Sequence, residues 1–274
     1  MHRRRTLVAL GVALGVALGV ALGLAGCAAV RARFPGPDVL FVATPEEVSL
    51  EMLKIAAVTP EDVVFDLGSG DGRVVIAAAR DFGAHSVGVE IDPKLVNISK
   101  DAALAAGVAA RTMFLWQDLF VADLTGATVV TLYLRDDVNL RLRPKLLKEL
   151  VPGTRVVSHD FDMGDWEPDR VQPVRTRERE HRLYFWVIPG SAAGAWSSEV
   201  GDGGPTPLTL TQTFQKLAGT LGGQAVSGRL RGDRIELLAG GLTLRGVVRG
   251  ESMEGEAVAA GAAPQPWMAR RRID

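Results

Sequence analysis

A short apolar run that passes directly into a glycine-rich loop constrains this chain more than any other feature. The run Val63–Leu67 has the length and composition of a buried parallel strand. It is followed by Gly68-Ser69-Gly70-Asp71-Gly72 and then by the helical pattern Arg73–Phe82. Strand, glycine loop and helix form half of a doubly wound α/β fold, whose ligands bind at the carboxyl ends of the strands. We therefore expect this loop to be a ligand site.

The spacing of the loop separates two classes of nucleotide-binding enzyme. A dinucleotide fingerprint requires Gly-x-Gly-x-x-Gly, and Arg73 stands where its last glycine would be. A dehydrogenase is therefore disfavoured. The next predicted strand ends at Glu90, where a carboxylate can accept hydrogen bonds from ribose hydroxyls. Asp118 follows a third predicted strand, at a place suited to an adenine amino group.

These segments, in this order, resemble class I S-adenosylmethionine-dependent methyltransferases. Residues 66–72 are similar to methyltransferase motif I, Glu90 to the acidic end of the second strand and Asp118 to the acidic adenine motif. The resemblance implies a doubly wound, Rossmann-like fold with S-adenosylmethionine as cofactor. The cofactor-binding residues that it implies are Asp66, Gly68, Ser69, Gly70, Asp71, Gly72, Glu90 and Asp118.

A closer resemblance extends over about residues 39–188, to the mitochondrial ATP synthase c-subunit lysine methyltransferases and their bacterial relatives. It rests on Phe41-Val42-Ala43-Thr44-Pro45, on residues 66–79, on Ser158-His159-Asp160-Phe161 and on Trp166-Glu167-Pro168-Asp169. It implies methylation of an amino group, in a protein lysine or in a small molecule. The acceptor itself stays open, because function belongs to sites rather than to folds.

The methyl acceptor is expected at the end of the fourth predicted strand, residues 129–134. Tyr133, Asp136 and Asn139 are the catalytic candidates there. Many amino methyltransferases carry an Asn/Asp-Pro-Pro-aromatic motif at this place, and this sequence lacks it. A packed tyrosine and a helix-capping aspartate are the structural alternatives. His159 and Asp160, at the end of strand five, are either a proton-accepting pair or structural residues.

The N-terminus has the pattern of a targeting segment. Three arginines precede residues 6–26, which carry no charge and are long enough to span a bilayer. The run ends in Leu24-Ala25-Gly26-Cys27, which resembles the lipobox of bacterial lipoproteins and implies lipidation of Cys27. We expect a cell-envelope protein that is tethered to a membrane, as a lipoprotein on the outward side. An uncleaved anchor with the domain on the cytoplasmic face is the alternative.

Composition excludes several partners. Cys27 is the only cysteine, so a single chain can form neither a disulfide framework nor a cysteine-rich zinc site, and we predict no metal site. The chain has 31 basic and 32 acidic residues, for a formal net charge of −1. No overall cationic field attracts a phosphate backbone, and nucleic acid is not an expected partner.

The composition changes after Pro189, where glycines become frequent and no long helical period remains. The pairs Gly232-Asp233 and Gly250-Glu251 predict hairpin turns in a small antiparallel meander or barrel. Its bulk would come from Trp196, Phe214 and Trp267. The predicted organisation is a signal or anchor at 1–26, a linker at 27–38, a methyltransferase domain at 39–189 and an all-β module at 190–274. We expect the module to be dispensable for cofactor binding.

Two other functions compete with methyl transfer. An aminopropyl transferase of the same fold needs acidic polyamine-binding motifs, which are not found in this sequence. A non-catalytic envelope protein could retain the fold as a binding scaffold, since S-adenosylmethionine is made in the cytoplasm and the N-terminus directs the chain outward.

Overall fold

The computed structural model describes residues 41–272, all of which belong to one compact unit. The predicted targeting segment, the linker and Cys27 lie outside these residues. Within residues 41–272, no helix is both long enough and apolar enough to cross a membrane.

A seven-stranded sheet carries the predicted site. Its order is β3-β2-β1-β4-β5-β7-β6, in which the first five strands are parallel and β7 runs antiparallel to both β5 and β6. The strands are β1 (Val63–Leu67), β2 (His85–Glu90), β3 (Thr112–Trp116), β4 (Val129–Leu132), β5 (Arg155–His159), β6 (Arg170–Arg175) and β7 (Glu180–Val187). The predicted doubly wound, Rossmann-like sheet is confirmed.

Helices cover the sheet because each presents an apolar side to it. They are α1 (Glu46–Ile55), α2 (Arg73–Phe82), α3 (Pro93–Ala105) and α4 (Asp136–Glu149), with a 3₁₀ turn at Ala109–Arg111. Met52 and Leu53 of α1 pack with Val74 of α2 in one core cluster. Leu142 and Leu146 of α4 belong to another. The strands between these helices are consequently buried on both faces.

Pro45 occupies the N-cap position of α1 without a side-chain bond, and the Thr44 carbonyl accepts a hydrogen bond from Arg73. One local prediction differs from the structure. The fourth strand was expected to reach residue 134 but ends at Leu132. Tyr133 therefore lies in the connection from β4 to α4.

The C-terminal module is a closed antiparallel barrel, as the hairpin pattern predicted. Gly232-Asp233 and Gly250-Glu251 form its predicted turns. Its strands are β8 (Gly194–Val200), β9 (Thr206–Thr213), β10 (Lys216–Leu221), β11 (Gln224–Arg231), β12 (Arg234–Ala239), β13 (Leu242–Arg249), β14 (Ser252–Ala259) and β15 (Gln265–Arg271).

Two of the three predicted core aromatics fill the barrel. Trp196 and Trp267 are buried inside it. The prediction for Phe214 is wrong, because this residue stands in the β9–β10 turn with a φ of 53°. Its ring stacks on Trp166, in the loop between β5 and β6, with ring centroids 5.9 Å apart. Gln215 accepts a hydrogen bond from Trp166 Nε1 at 2.9 Å. This turn thus joins the barrel to the methyltransferase core.

Hydrogen bonds fix the segment at residues 190–194, although it contains only glycine, serine and alanine. The Gly190 amide donates to the Gly232 carbonyl at 2.7 Å, and the Ala192 amide donates to Gln212 Oε1 at 2.8 Å. Ala192 is fully buried. The dispensability of the barrel for cofactor binding stays a prediction.

Candidate active site

The glycine loop turns sharply at the carboxyl end of β1. Gly68, Gly70 and Gly72 have φ values of 81°, 55° and 80°, which favour glycine because it has no Cβ. The amides of Gly68 and Ser69 donate to the Val89 carbonyl at 2.8 and 3.0 Å. The loop is therefore fastened to the end of β2, beside Glu90.

Glu90 holds this loop. Its Oε2 accepts from the Gly70 amide at 2.9 Å, and its Oε1 accepts from the Asp92 amide at 2.9 Å. A carboxylate offers about four lone-pair sites, so these bonds leave capacity for the ribose hydroxyls that the sequence suggested. Glu90 can thus both shape the loop and bind a ligand.

Asp66 is a buried carboxyl at the end of β1. Burial, reinforced by the negative charges of Glu90 and Asp71, raises the pKa of Asp66 to about 7, although a hydrogen bond from Thr131 at 2.7 Å acts in the opposite direction. A positively charged ligand group nearby would favour the ionised form of Asp66. The carboxyl therefore suits a cationic ligand.

Asp71 pairs with Arg73 at 2.6 Å, and Arg73 also donates to the Thr44 carbonyl at 2.7 Å. Burial would raise the pKa of Asp71, but the hydrogen bonds and charge of Arg73 outweigh it and hold the pKa below its usual range. This ion pair links the loop to the segment before α1.

Asp118 lies near the same edge of the sheet. Glu90 pairs with Trp116 across β2 and β3, and the Gln117 amide donates to the Glu90 carbonyl at 3.0 Å. Asp118 Oδ1 accepts from the Phe120 amide at 2.9 Å, and the residue is half-buried. The structure thus brings the three predicted carboxylates, on β1, β2 and after β3, to one edge.

The loop has the features of a cradle for S-adenosylmethionine. Ser69 Oγ is buried and has no hydrogen-bond partner among the described residues. A Cβ at Gly70 would lie 2.2 Å from the Phe41 ring, and a Cβ at Gly68 would lie 2.9 Å from Leu134. Backbone amides, a free hydroxyl and nearby carboxylates fit a ligand that combines a cationic centre with ribose hydroxyls.

On the acceptor side, Tyr133 is half-buried directly after β4. Its ring stacks on His159 with centroids 3.9 Å apart, and Phe161 lies 6.1 Å away. Burial and the negative charge of Asp160 raise the pKa of Tyr133, so its hydroxyl keeps its proton. Tyr133 thereby joins β4 to the residues that follow β5.

The other two catalytic candidates have different surroundings. Asp136 is exposed at the first residue of α4. Asn139 is fully buried, and its Nδ2 lies 3.1 Å from Ser158 Oγ and 3.2 Å from the carbonyls of Phe161 and Asp162. Asn139 fastens α4 to the loop after β5, which indicates a positioning role. Their part in catalysis stays a prediction.

A buried polar cluster adjoins Tyr133. His159 Nε2 lies 2.8 Å from His181 Nδ1 and 3.2 Å from Asp160 Oδ2, and Arg179 donates to the same carboxylate. Burial lowers the pKa of His159 to about 4, so this imidazole is neutral. Burial would raise the pKa of Asp160, but bonds from Arg179 and the Arg182 amide hold it below its usual range.

Comparison of the sequence identifies related proteins. The ANTKMT methyltransferase domain matches residues 66–170. The chain is 46% identical over 158 residues to a protein-lysine N-methyltransferase of Saccharolobus islandicus, covering 56% of this chain and 95% of that protein. The chain therefore belongs to the same methyltransferase family as this relative. It is also 38% identical to the human ATP synthase c-subunit lysine N-methyltransferase over 106 residues, 39% of this chain and 45% of the human protein.

A solved structure supports the same family. It is an RNA methyltransferase from Salinibacter ruber, crystallised with S-adenosyl-L-homocysteine. The two proteins are 53% identical, the match covers 55% of this chain and 96% of the Salinibacter ruber chain, and the TM-score is 0.52. This chain is therefore an S-adenosylmethionine-dependent methyltransferase. The predicted fold, enzyme class and cofactor are confirmed.

Several residues of this site carried no sequence signal. Thr131 pairs with Asp66 across β1 and β4, a contact that requires the sheet register. Arg179 and His181 reach Asp160 from the β6–β7 hairpin, about twenty positions along the chain. The sequence did indicate Arg73, but only as the residue that breaks the dinucleotide pattern.

Proposed function

We propose that this methyltransferase transfers methyl groups from S-adenosylmethionine to lysine side chains of a protein. The observation that carries the proposal is the 46% identity to a protein-lysine N-methyltransferase, which extends over 95% of that relative. A match over nearly the whole relative includes its acceptor side as well as its cofactor motif.

Charge at the acceptor edge supports a cationic acceptor. Asp136 and Asp137 begin α4 after β4, while Asp160, Asp162 and Asp165 follow the adjacent strand β5. Asp137, Asp160 and Asp165 pair with Arg135, Arg179 and Arg143, so the edge carries both signs of charge. The negative charge that supports a cationic acceptor is that of the exposed Asp136 and Asp162. Carboxylates near the reaction centre attract a lysine ammonium and repel a phosphate backbone.

The chemistry needs little besides alignment. S-adenosylmethionine supplies a methyl group on a positively charged sulfur, which is already electrophilic. The protein must orient the lysine amine towards it and keep the amine's lone pair free. We assign the orienting role to Tyr133, which directly follows β4. The next residue, Leu134, packs its side chain against Gly68 of the cofactor loop, so Tyr133 lies close to that loop.

RNA is the competing acceptor, because the Salinibacter ruber protein is described as an RNA methyltransferase and is 53% identical. Binding of RNA gains most of its affinity from basic residues that neutralise phosphates. The balance of 31 basic and 32 acidic residues gives this chain no such surplus. We therefore favour the protein acceptor.

The experiment measures transfer of a tritiated methyl group into a cell extract, with Gly70→Val as the inactive control, because a Cβ at position 70 of the cofactor loop would lie 2.2 Å from the Phe41 ring. Portions of the product are treated with ribonuclease or with protease. The proposal predicts that protease alone makes the label acid-soluble and that hydrolysis yields methyl-lysine. Loss of the label to ribonuclease would overturn the lysine proposal in favour of RNA.

We also propose that the domain is tethered to the cell envelope through lipidated Cys27. The support is the sequence pattern of residues 1–27 alone: three arginines, an uncharged apolar run and a lipobox-like end. The alternative is an uncleaved anchor that leaves the domain in the cytoplasm. Protease added to intact spheroplasts would degrade an outward domain and spare a cytoplasmic one.

A further inference from the structure

We propose that His159, Asp160 and His181 bind one divalent transition-metal ion beside the acceptor side of the active site. The sequence predicted no metal site, because these residues come together only when the β6–β7 hairpin folds back onto β5. This site is distinct from the cofactor loop, and the proposal holds for either acceptor.

The geometry is that of a three-ligand face. The ligand atoms are His159 Nε2, His181 Nδ1 and Asp160 Oδ2, separated by 2.8, 3.2 and 3.6 Å. Metal-to-ligand distances for zinc are about 2.0–2.2 Å with nitrogen and oxygen. An ion at that distance from all three atoms lies just outside their plane. Two histidines and one carboxylate form a known set of this type.

The hydrogen bonds of His181 orient it for this role. Its Nε2 lies 3.3 Å from Thr176 Oγ1, and the Thr176 hydroxyl donates to the Arg179 carbonyl at 3.1 Å. Thr176 Oγ1 must then accept from His181 Nε2–H, which leaves a lone pair on His181 Nδ1. That lone pair faces His159 and Asp160. Metal-binding histidines usually carry such an outer hydrogen bond.

Metal binding by His159 requires a change of tautomer, which has a free-energy cost. In the metal-free protein its Nε2–H donates to His181 Nδ1 at 2.8 Å, so an ion requires that proton to move to Nδ1. His159 Nδ1 is buried and has no hydrogen-bond partner among the described residues. The shift therefore weakens the site without blocking it.

Arg179 is the competitor of the ion. Its guanidinium donates to Asp160 Oδ2, the same atom that would bind the metal. The Arg179 side chain is 49% exposed, so it can move into solvent. Removing this positive charge should strengthen metal binding, which is opposite to the effect expected from general damage to the fold.

The donor set selects the metal. Imidazole nitrogens suit Zn²⁺, Ni²⁺, Co²⁺ and Cu²⁺, whereas Mg²⁺ and Ca²⁺ prefer oxygen. A bound ion would fix the imidazole of His159, on which the Tyr133 ring stacks. The site would therefore stabilise the residues that face the acceptor.

Titration calorimetry of the chelator-treated full chain, free of any histidine tag, tests the site with Co²⁺, Zn²⁺ and Mg²⁺. We expect one Co²⁺ or Zn²⁺ per chain, no Mg²⁺, and a Co²⁺ visible spectrum typical of nitrogen and oxygen ligands. Affinity should fall at least about tenfold in His181→Ala and in the near-isosteric Asp160→Asn. Each variant removes one of three ligands, and loss of an outer-shell partner alone typically costs about 10–100-fold in metal affinity. The exposed His85 serves as the matched control, and His85→Ala should bind normally.

Arg179→Ala makes the test specific. We expect it to bind Co²⁺ more tightly than the unchanged protein. Absence of Co²⁺ and Zn²⁺ binding by the folded protein would overturn the proposal. Binding that survives both His181→Ala and Asp160→Asn would overturn it as well, as would weaker binding by Arg179→Ala.

Discussion

Asp66 is expected to couple cofactor binding to the release of a proton. Its pKa is raised to about 7 in the cofactor-free protein, mainly by burial. S-adenosylmethionine carries positive charge on its sulfur and amino groups, so binding next to Asp66 favours the ionised carboxylate. Below pH 7, the protein must then lose a proton when the cofactor binds.

The magnitude follows from the pKa. If binding returns Asp66 to a pKa of roughly 4, about 0.9 proton is released per cofactor at pH 6 and about 0.1 at pH 8. The dissociation constant should fall about tenfold between pH 6 and pH 8, equivalent to about 1.4 kcal/mol.

Calorimetry in buffers of different ionisation enthalpy measures the released proton directly. Asp66→Asn is the matched control, because its amide retains the shape and cannot ionise. Protons that come from the cofactor itself appear with both proteins and cancel in the comparison. The reasoning is wrong if the two proteins release the same number of protons at pH 6 and share one pH dependence of affinity.

The same carboxyl should affect stability. The folded state binds the Asp66 proton more tightly than the unfolded state, so its contribution to the free energy of unfolding is fully present below pH 3.8 and is lost as pH rises from there to about 7. Asp66→Asn should therefore raise the melting temperature at pH 8 and have little effect below about pH 4; equal shifts at both values would contradict this. Glu90→Ala should weaken cofactor binding by about 1–3 kcal/mol, because the Gly70 amide and the ligand lose a charged acceptor; unchanged calorimetric affinity would refute the assignment. Gly70→Val should abolish binding, since a Cβ there would lie 2.2 Å from Phe41 and the φ of 55° disfavours a branched side chain; a folded variant with normal affinity would show that the loop is misplaced. Cys27→Ser should eliminate lipid labelling and leave an uncleaved precursor; persistent labelling would exclude the lipobox.

The geometry of the glycine loop could be predicted because its residues follow one another along the chain, while their binding of the cofactor stays a prediction. Glycines that need positive φ and carboxylates at strand ends are visible in sequence, and Gly68, Gly70 and Glu90 occupy the expected places. The sequence did not reveal that Glu90 also holds the Gly70 amide. That bond depends on how far the loop folds back over β2.

The acceptor half could be predicted only in part, because its contacts join distant segments. Asn139 was predicted as a catalytic candidate after the fourth strand, but the turn of α4 buries it against the loop after β5. Phe214 was predicted to lie in the barrel core, because the sequence does not show that this residue has a positive φ in a turn. His181 and Arg179 meet Asp160 through the register of a hairpin that the sequence did not specify.

Tandem mass spectrometry of extract proteins, methylated with S-adenosylmethionine that carries a deuterated methyl group, tests the central claim most directly. We predict heavy methyl groups on the Nζ of specific lysines, present with the unchanged protein and absent with Gly70→Val. Heavy methyl groups found on other atoms, or on no protein while the enzyme is folded and binds cofactor, would contradict it.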